Sequence, residues 1–443
     1  MNIMTYREII TESSKGADYG LPLSCFFIFI FKFDTGIKFM TVPPEQSSEL
    51  HYDKGRGADM AYQFKIPDRV IVGDKAIEAS ESIIKAMGTK ALVVTGRIVT
   101  RTGMVDMLTG YLKQWGIKAE VFNDITGEPT DIMIEAGVKE YKTFGCDFII
   151  GIGGGSPLDS AKAIAAMSIL PGHVSDYMGV EIEGKLPPVV LIPTTAGTGS
   201  EATRYTVITD TSRNIKMLLR GDALLPELAI IDPALTKTAP GAVTAATGMD
   251  ALTHAVEAYT SRKGNTLTDM YAISSVKRIF AYLPRAYRDG SDKKAREELS
   301  IAAFEAGVCI NNASVTLVHG MSRPIGAVFH VPHGISNAIL ISDCLEFASD
   351  GCYDRFAKLA RAIGAADEDH GEEEATRSFL KELKSLCRAC SIPTLEEYGI
   401  GREEFFRMVD KMAQDAMASG SPSNTIKDVS KEDLVTIYHR LWK

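Results

Sequence analysis

The sequence predicts an N-terminal α/β domain on a parallel sheet, followed by an all-helical domain. Three observations support this. Between residues 68 and 233 short Val/Ile/Leu runs alternate with helical patterns, and continuous apolar runs suit strands covered on both faces. Turns rich in Gly, Ser and Thr directly follow two of those runs. Beyond residue 241 strand signals vanish, and Ala-, Leu- and Glu-rich stretches of helical spacing continue to the C-terminus. At 443 residues the chain is also too long for a single core. The expected division is an extension over 1–59, an α/β domain over 60–240 and a helical domain over 241–443.

The elements follow in order. "LPLSCFFIFIFKF" (21–33) is apolar but shorter than the roughly 20 residues that span a bilayer. It also lacks the basic leader and small-residue cleavage site of a signal peptide. The first 59 residues therefore read as a poorly ordered extension, with an oligomer-contact or targeting arm as the alternative. Strands are expected at "RVIVG" (69–73), "ALVVTG" (91–96), "CDFIIGIGGG" (146–155), "VVLIPTT" (189–195) and "LAIIDP" (228–233). Between them "VDMLTGYLKQWG" and "TDIMIEAGVKEYKTFG" carry apolar residues at helical spacing and close on glycine. "RYTVITDTSRNIKMLLRG" (204–221) alternates by twos around a polar turn, the pattern of an antiparallel hairpin. Breaks in the helical half are expected at "YLPRAYRDGSD" and "CSIPTLEEYG".

Composition narrows the function classes. With 45% hydrophobic and 24% charged residues the chain reads as globular. A net charge of -9 and pI near 5.5 argue against nucleic acid or an anionic membrane as partner. Seven cysteines are scattered; the lone C-x-x-C, Cys387 and Cys390, has no second pair and reads as ordinary thiols in a reducing cytoplasm.

Four segments carry chemistry. In "IIGIGGGSPLDSAKAIA" (149–165) a buried strand runs into Gly153, Gly154, Gly155 and Ser156, with a helix starting near Pro157. Glycines admit a phosphate close to the backbone, and a helix N-terminus offers free N–H groups and a positive dipole end. The spacing differs from G-x-G-x-x-G, so a variant of the dinucleotide fold is implied. "IPTTAGTGSEAT" (192–203) places Thr194, Thr195, Thr198 and Ser200 after another buried strand, at the sheet edge where ligands collect; a polar turn capping a helix is the plainer alternative. In "TGMDALTHAVEAYTS" (247–261) Asp250 and His254 are four apart on a helical pattern and share a face. That is half of a divalent metal site, although such a pair alone is more often a surface hydrogen bond. "HGMSRPIGAVFHVPHG" (319–334) holds three of the chain's eight histidines. His319 and His333 would complete a set of three His and one Asp. An ion held so keeps a position open for an alcohol or carbonyl oxygen.

Together these segments resemble the iron-containing (group III) alcohol dehydrogenase family, from about residue 62 to the C-terminus. "GGGSPLDSAK", "PTTAGTGSE", "DPALTKTAPGAVTAATGMDALTHAVEAY" and "HGMSRPIGAVFHVPHGISNAIL" stand in the family's order and spacing. The resemblance implies a dehydroquinate-synthase-like, Rossmann-related dinucleotide-binding domain and a helical metal-binding domain, with the active site between them. It implies hydride transfer between a small primary alcohol, or its aldehyde, and nicotinamide of NAD or NADP. It implies Fe²⁺, replaceable by Zn²⁺, on Asp250, His254, His319 and His333, and a homodimer or larger assembly. The diphosphate loop falls on Gly153 to Ser156, Asp159 near the nicotinamide, Thr194 and Thr198 on cofactor-contacting threonines, and Lys216 on the ribose side. A transhydrogenase of the hydroxyacid–oxoacid type, with tightly held cofactor, would use the same residues and is the alternative.

Two departures from the family bear on specificity. NAD-preferring members commonly have an aspartate where this chain has Gly96, followed by Arg97 and Arg101. Without that carboxylate a 2′-phosphate is not repelled, so NADP is admitted and favoured over strict NAD, unless the arginines are merely solvated. Arg323 stands where many members have a histidine suited to relaying the alcohol proton. Arginine stays protonated and cannot be a base, which leaves His330 as the relay. Arg323 is then free to clamp a carboxylate or sulfonate on the substrate, or it pairs with a protein carboxylate or the cofactor.

Overall fold

Side chains of a strand point alternately to opposite faces, so a strand that is apolar at every position needs cover on both sides. The central sheet meets that demand. In the computed structural model, which describes residues 61–442 and the backbone of two earlier strands, β1 (Ile28–Phe33) pairs antiparallel with β2 (Gly36–Thr41). The remainder of the expected extension over 1–59 lies outside the described residues.

From Tyr62 onward the chain forms one unit. Its α/β part comprises β3 (Arg69–Val72), α1 (Ala76–Ala79), α2 (Glu81–Lys85), β4 (Lys90–Val94), α3 (Arg97–Arg101), α4 (Met104–Gln114), β5 (Lys118–Phe122), α5 (Asp131–Phe144), β6 (Phe148–Gly153), α6 (Gly155–Ile169) and β7 (Val189–Pro193). The hairpin strands β8 (Tyr205–Asp210) and β9 (Ile215–Arg220) follow, and β10 (Leu228–Ile231) ends it. Six strands form a parallel sheet in the order β3-β10-β7-β6-β4-β5. Leu92, Val94, Ile149 and Leu191 pack on one face, while Ala91, Val93, Ile150, Ile152, Val190 and Ile192 pack on the other. Because β4, β6 and β7 are neighbours and parallel, Gly96, Gly153 and Thr194 emerge side by side at the sheet's carboxyl edge. The hairpin is antiparallel as expected, in register Thr206↔Leu219 and Ile208↔Met217.

The helical part comprises α7 (Gly241–Tyr259), α8 (Thr266–Arg288), α9 (Lys293–Ala313), α10 (Leu317–Phe329), α11 (His333–Ala348), α12 (Tyr353–Ala362), α13 (Glu372–Ala389), α14 (Arg402–Ala418) and α15 (Lys431–Arg440). They share one apolar core. Among the described residues no single helix is long and apolar enough to cross a membrane.

Three elements differ from expectation. Strand β5 was not expected, because "KAEVF" has no continuous apolar run; it is the sheet's edge strand, and only Phe122 of its side chains is fully buried. Helix α6 begins at Gly155 rather than near Pro157, so the proline is the third helical residue and not the first. Helix α8 runs through Pro284 and ends only at Arg288. Its buried face, from Val276 and Ile279 through Leu283 to Ala286, continues past the proline, and that packing outweighs the one backbone hydrogen bond a proline removes.

Candidate active site

The helical part brings four ligand-type side chains together. Asp250 and His254 lie one turn apart on α7, where they are 2% and 5% exposed. His319 sits in the first turn of α10 and is 3% exposed. His333 opens α11 and stands at the rim, with 43% of its side chain exposed. Helix α11 approaches α7 closely because residue 334 is glycine: a Cβ there would lie 2.6 Å from the Ala246 carbonyl oxygen. One donor atom from each of Asp250, His254, His319 and His333 lies within 4.8 Å of all the others. Nε2 of His333 and of His319 are 3.6 and 3.9 Å from Asp250 Oδ1, and the His254 and His319 rings stack at 4.6 Å.

The electrostatics suit a cation. Burial would raise the Asp250 carboxyl, but the His254, His333 and His319 imidazoles and the Asn337 amide hold it below its ordinary range. Burial pushes His319 well below the usual imidazole range and lowers His333 in the same direction, with Asp250 opposing in each case. A charged carboxylate among neutral imidazoles is the protonation state that metal binding requires. Nδ1 of His254 is buried without a hydrogen-bond partner. Three imidazoles and a carboxylate this close fit a divalent first-row metal such as iron or zinc.

Two residues of this site escaped sequence reasoning. Glu257, fully buried on α7, places Oε2 2.5 Å from His319 Nδ1. Its Oε1 accepts from Thr316 Oγ1 at 2.7 Å and from the Val318 N–H at 2.5 Å. One carboxylate thus holds the N-terminus of α10 and orients the imidazole that α10 carries. Asn337, one turn beyond His333, donates through Nδ2 to Asp250 Oδ1 at 2.7 Å and lies 3.2 Å from Nε2 of both His319 and His333. The spacing Asp250, His254, Glu257 along one helical face was the available signal for the first of these.

At the sheet edge the glycine turn and the hydroxyl loop touch. A Cβ on Gly155 would lie 2.8 Å from Thr198 Cγ2, and one on Gly154 would lie 3.6 Å from Thr195 Oγ1. Gly153 has φ +152, where a side chain would also press on Pro157. These glycines therefore let the two loops dock on each other, besides leaving the first turn of α6 approachable. Thr195, Thr198 and Ser156 are partly exposed there, while Thr194 and Ser200 are buried. Asp159 accepts from Ser200 Oγ at 2.5 Å and from the Val207 N–H at 2.8 Å. Lys162, fully buried, donates to the carbonyls of Thr203 and Tyr205, both at 2.8 Å. Burial lowers that ammonium to about 8 against the pull of Asp159 and Glu201, and burial raises Glu201 to about 7. Helix α6 and residues 200–207 are accordingly one rigid piece.

The remaining expected residues lie around these two centres. A Cβ on Gly96 would meet the Ile125 carbonyl oxygen at 2.8 Å, so the chain crossing excludes a side chain there. Arg97 is not free: its Nη2 is 2.7 Å from Asp124 Oδ1. Lys216 pairs with Glu128 at 2.6 Å, and its Nζ lies 3.9 Å from where a Cβ on Gly326 of α10 would be. The hairpin thus meets the helical wall beside the metal-ligand cluster. Arg323, partly buried, donates to Ser421 Oγ at 2.9 Å. His330 is exposed and caps α10 at φ 55; no hydrogen bond of the four-residue cluster passes through it.

A parallel α/β sheet with a cofactor-type edge, joined to a helical layer that holds a His₃Asp cluster, defines a metal-dependent, dinucleotide-linked class of enzyme. The comparisons name the family. Residues 67–233 match the family described as iron-containing alcohol dehydrogenase, and residues 244–442 match its C-terminal region; the chain belongs to that family. It is 34% identical over 372 residues to the NAD-dependent methanol dehydrogenase of Bacillus methanolicus, covering 83% of this chain and 98% of that one. The solved structure of a 1,3-propanediol oxidoreductase superposes with TM-score 0.83 at 31% identity, covering 86% of this chain and 100% of the other. The sulfoacetaldehyde reductase of Bifidobacterium kashiwanohense, solved with NAD⁺, gives TM-score 0.78 at 27% identity, covering 86% and 99%.

Replacing Glu257 by Gln keeps the size but removes the charge that orients His319. Metal affinity, read by competition with a chromogenic chelator, is expected to fall about 10- to 100-fold, with the fold retained by circular dichroism.

Proposed function

We propose that the chain is a metal-dependent, NAD(P)-linked alcohol dehydrogenase and aldehyde reductase acting on small primary alcohols and their aldehydes. The observation that carries this reading is the convergence of the four donor atoms within 4.8 Å in a chain whose sheet edge presents two docked cofactor-type loops. Asp250, His254, His319 and His333 would hold Fe²⁺, or Zn²⁺ in its place. When bound, the ion supplies a Lewis acid that polarises the substrate oxygen. Backbone N–H groups at Gly155 and Ser156, with the N-terminal dipole of α6, hold the cofactor diphosphate. Thr195 and Thr198 offer hydroxyls to the cofactor, and the buried Asp159–Ser200 and Lys162–Thr203 contacts fix the loop that carries them. Lys216 serves the ribose side from β9.

His330 is the proton relay in this reading. It stands between the helices that carry His319 and His333, in contact with solvent, and can pass the alcohol proton outward directly or through water. Replacing His330 by Gln is expected to lower kcat for alcohol oxidation about 100-fold and to flatten its pH profile, while metal content stays at the native level.

Cofactor choice turns on Arg97 and Asp124. The Asp124 carboxylate, beside Gly96, can accept from a ribose 2′-OH, and the Arg97 guanidinium can meet a 2′-phosphate. The pair is exposed and opens at little cost, so NADP is admitted along with NAD. Replacing Asp124 by Asn frees Arg97. It is expected to shift the ratio of kcat/KM for NADP over NAD upward by about 3-fold, in keeping with an exposed charge interaction of roughly 0.7 kcal/mol.

The whole reading is tested by assaying butanal reduction with NADH and NADPH on protein reconstituted with Fe²⁺ or Zn²⁺, next to an Asp250→Ala/His254→Ala double variant. The native chain should retain about one ion per chain and turn over. The double variant should lose both. Native activity in that variant, or no activity with either metal, would refute the proposal.

A further inference from the structure

A guanidinium that leaves water must find compensating charge or a full set of acceptors, because an unpaired buried cation is strongly unfavourable. Two arginines more completely buried than the partly buried Arg323 obey this. Arg355 meets the Tyr259 carbonyl at 2.7 Å and Asp269 at 2.5 Å. Arg296 has three oxygen acceptors, from Gly290, Thr244 and Ala239. Arg323 has one neutral partner, the Ser421 hydroxyl at 2.9 Å, and among the described residues no carboxylate forms an ion pair with it. Burial weakens the hold of the Arg323 guanidinium on its charge and the Glu257 carboxylate opposes this from nearby, but both Glu257 oxygens are already used by His319, Thr316 and Val318.

Its position gives that free charge a purpose. Arg323 stands one turn after His319 on α10, on the same face of the helix. The partner Ser421 is held in place by Pro422, which rests on α10 at Gly320, where a Cβ would lie 2.8 Å from the proline ring. The guanidinium is therefore fixed at its far end and leaves most of its five donors unused.

We infer that Arg323 is an anion-binding group of the substrate pocket, and that the chain acts on short aldehydes, or their alcohols, that end in a carboxylate or sulfonate. This rests on the dehydrogenase reading above and names its substrate class. Side chains one helical turn apart start about 6 Å from each other, a span filled by roughly two to four carbon atoms at about 1.5 Å per bond. A planar, forked donor matches a carboxylate or sulfonate bidentately, which an ammonium does not.

Two measurements test it. Calorimetry on the metal-loaded enzyme would follow binding of propane-1-sulfonate, a poor metal ligand; Arg323→Gln, polar but neutral and too short to reach Ser421, should weaken it about 100-fold, and Arg323→Lys should restore part. Kinetics would compare kcat/KM for 4-oxobutanoate and for 3-oxopropane-1-sulfonate with that for butanal. Both ratios should favour the anionic aldehyde in the native enzyme and collapse by about 100-fold in the Gln variant; a collapse of only one identifies which anion is the substrate. Unchanged sulfonate binding in the Gln variant, or equal losses on anionic and neutral aldehydes, would overturn the assignment. Should the native enzyme reduce none of the three, the dehydrogenase reading falls, and the calorimetry alone decides whether Arg323 binds an anion.

Discussion

The rest of the site depends on the buried carboxylate of Glu257. A charge with no exposure must be satisfied in full, and Glu257 is satisfied by three groups that belong to α10: the Thr316 hydroxyl, the Val318 N–H and the His319 imidazole. Burial raises this carboxyl, so the three contacts must be made well for the charge to persist. They join α7 to α10 at the point where α9 and α10 turn by 102°. Without that junction only the Asn337 contacts and the apolar packing would set the distance from Asp250 and His254 on one helix to His319 on another. The same contact fixes which imidazole nitrogen of His319 faces the cluster, because Nδ1 is committed to Glu257 and Nε2 faces Asp250.

The cofactor side follows the same logic with different groups. Lys162 and Asp159, a buried cation and a carboxylate, join α6 to the segment after the hydroxyl loop, and the buried Glu201 carboxylate acts on Lys162 through its charge. Gly199 packs on Gly307 of α9, where a Cβ would meet its Cα at 2.5 Å. Through that contact the loop that leaves the sheet edge is seated directly on the helical layer. Two sets of buried ionisable groups therefore hold the two halves of the site, and a close glycine contact joins them. Such networks are costly when broken, which favours a single arrangement over several of similar energy.

Much of this was legible in the sequence for identifiable reasons. Strands covered on both faces announce themselves as unbroken apolar runs, and β4, β6, β7 and β10 were read that way. The edge strand β5 was not, because a strand open on one side can carry Lys118 and Glu120. Asp250 and His254 were visible by helical spacing, and His319 and His333 by their density in a chain poor in histidine. Glu257 shares the helical face of Asp250 and His254, but that spacing alone does not mark a functional residue, since a glutamate in a helix is ordinarily solvated; its lack of exposure does. Gly96 was read for what it lacks, a carboxylate. What the sequence did not show was that Asp124, from the adjacent strand end, returns one to the same place and occupies Arg97.

Arg323 shows why burial has to be weighed against partners rather than read alone. Arg355 and Arg296 are more completely enclosed than Arg323, yet neither needs a ligand, because each has two or three oxygen acceptors within the fold. Arg323 keeps some contact with solvent, so water can satisfy it when the pocket is open. An entering substrate displaces that water, and a neutral aldehyde would leave the guanidinium worse satisfied than before. An anionic one replaces that water with a stronger acceptor. The discrimination therefore comes as much from the penalty on the neutral aldehyde as from attraction to the charged one.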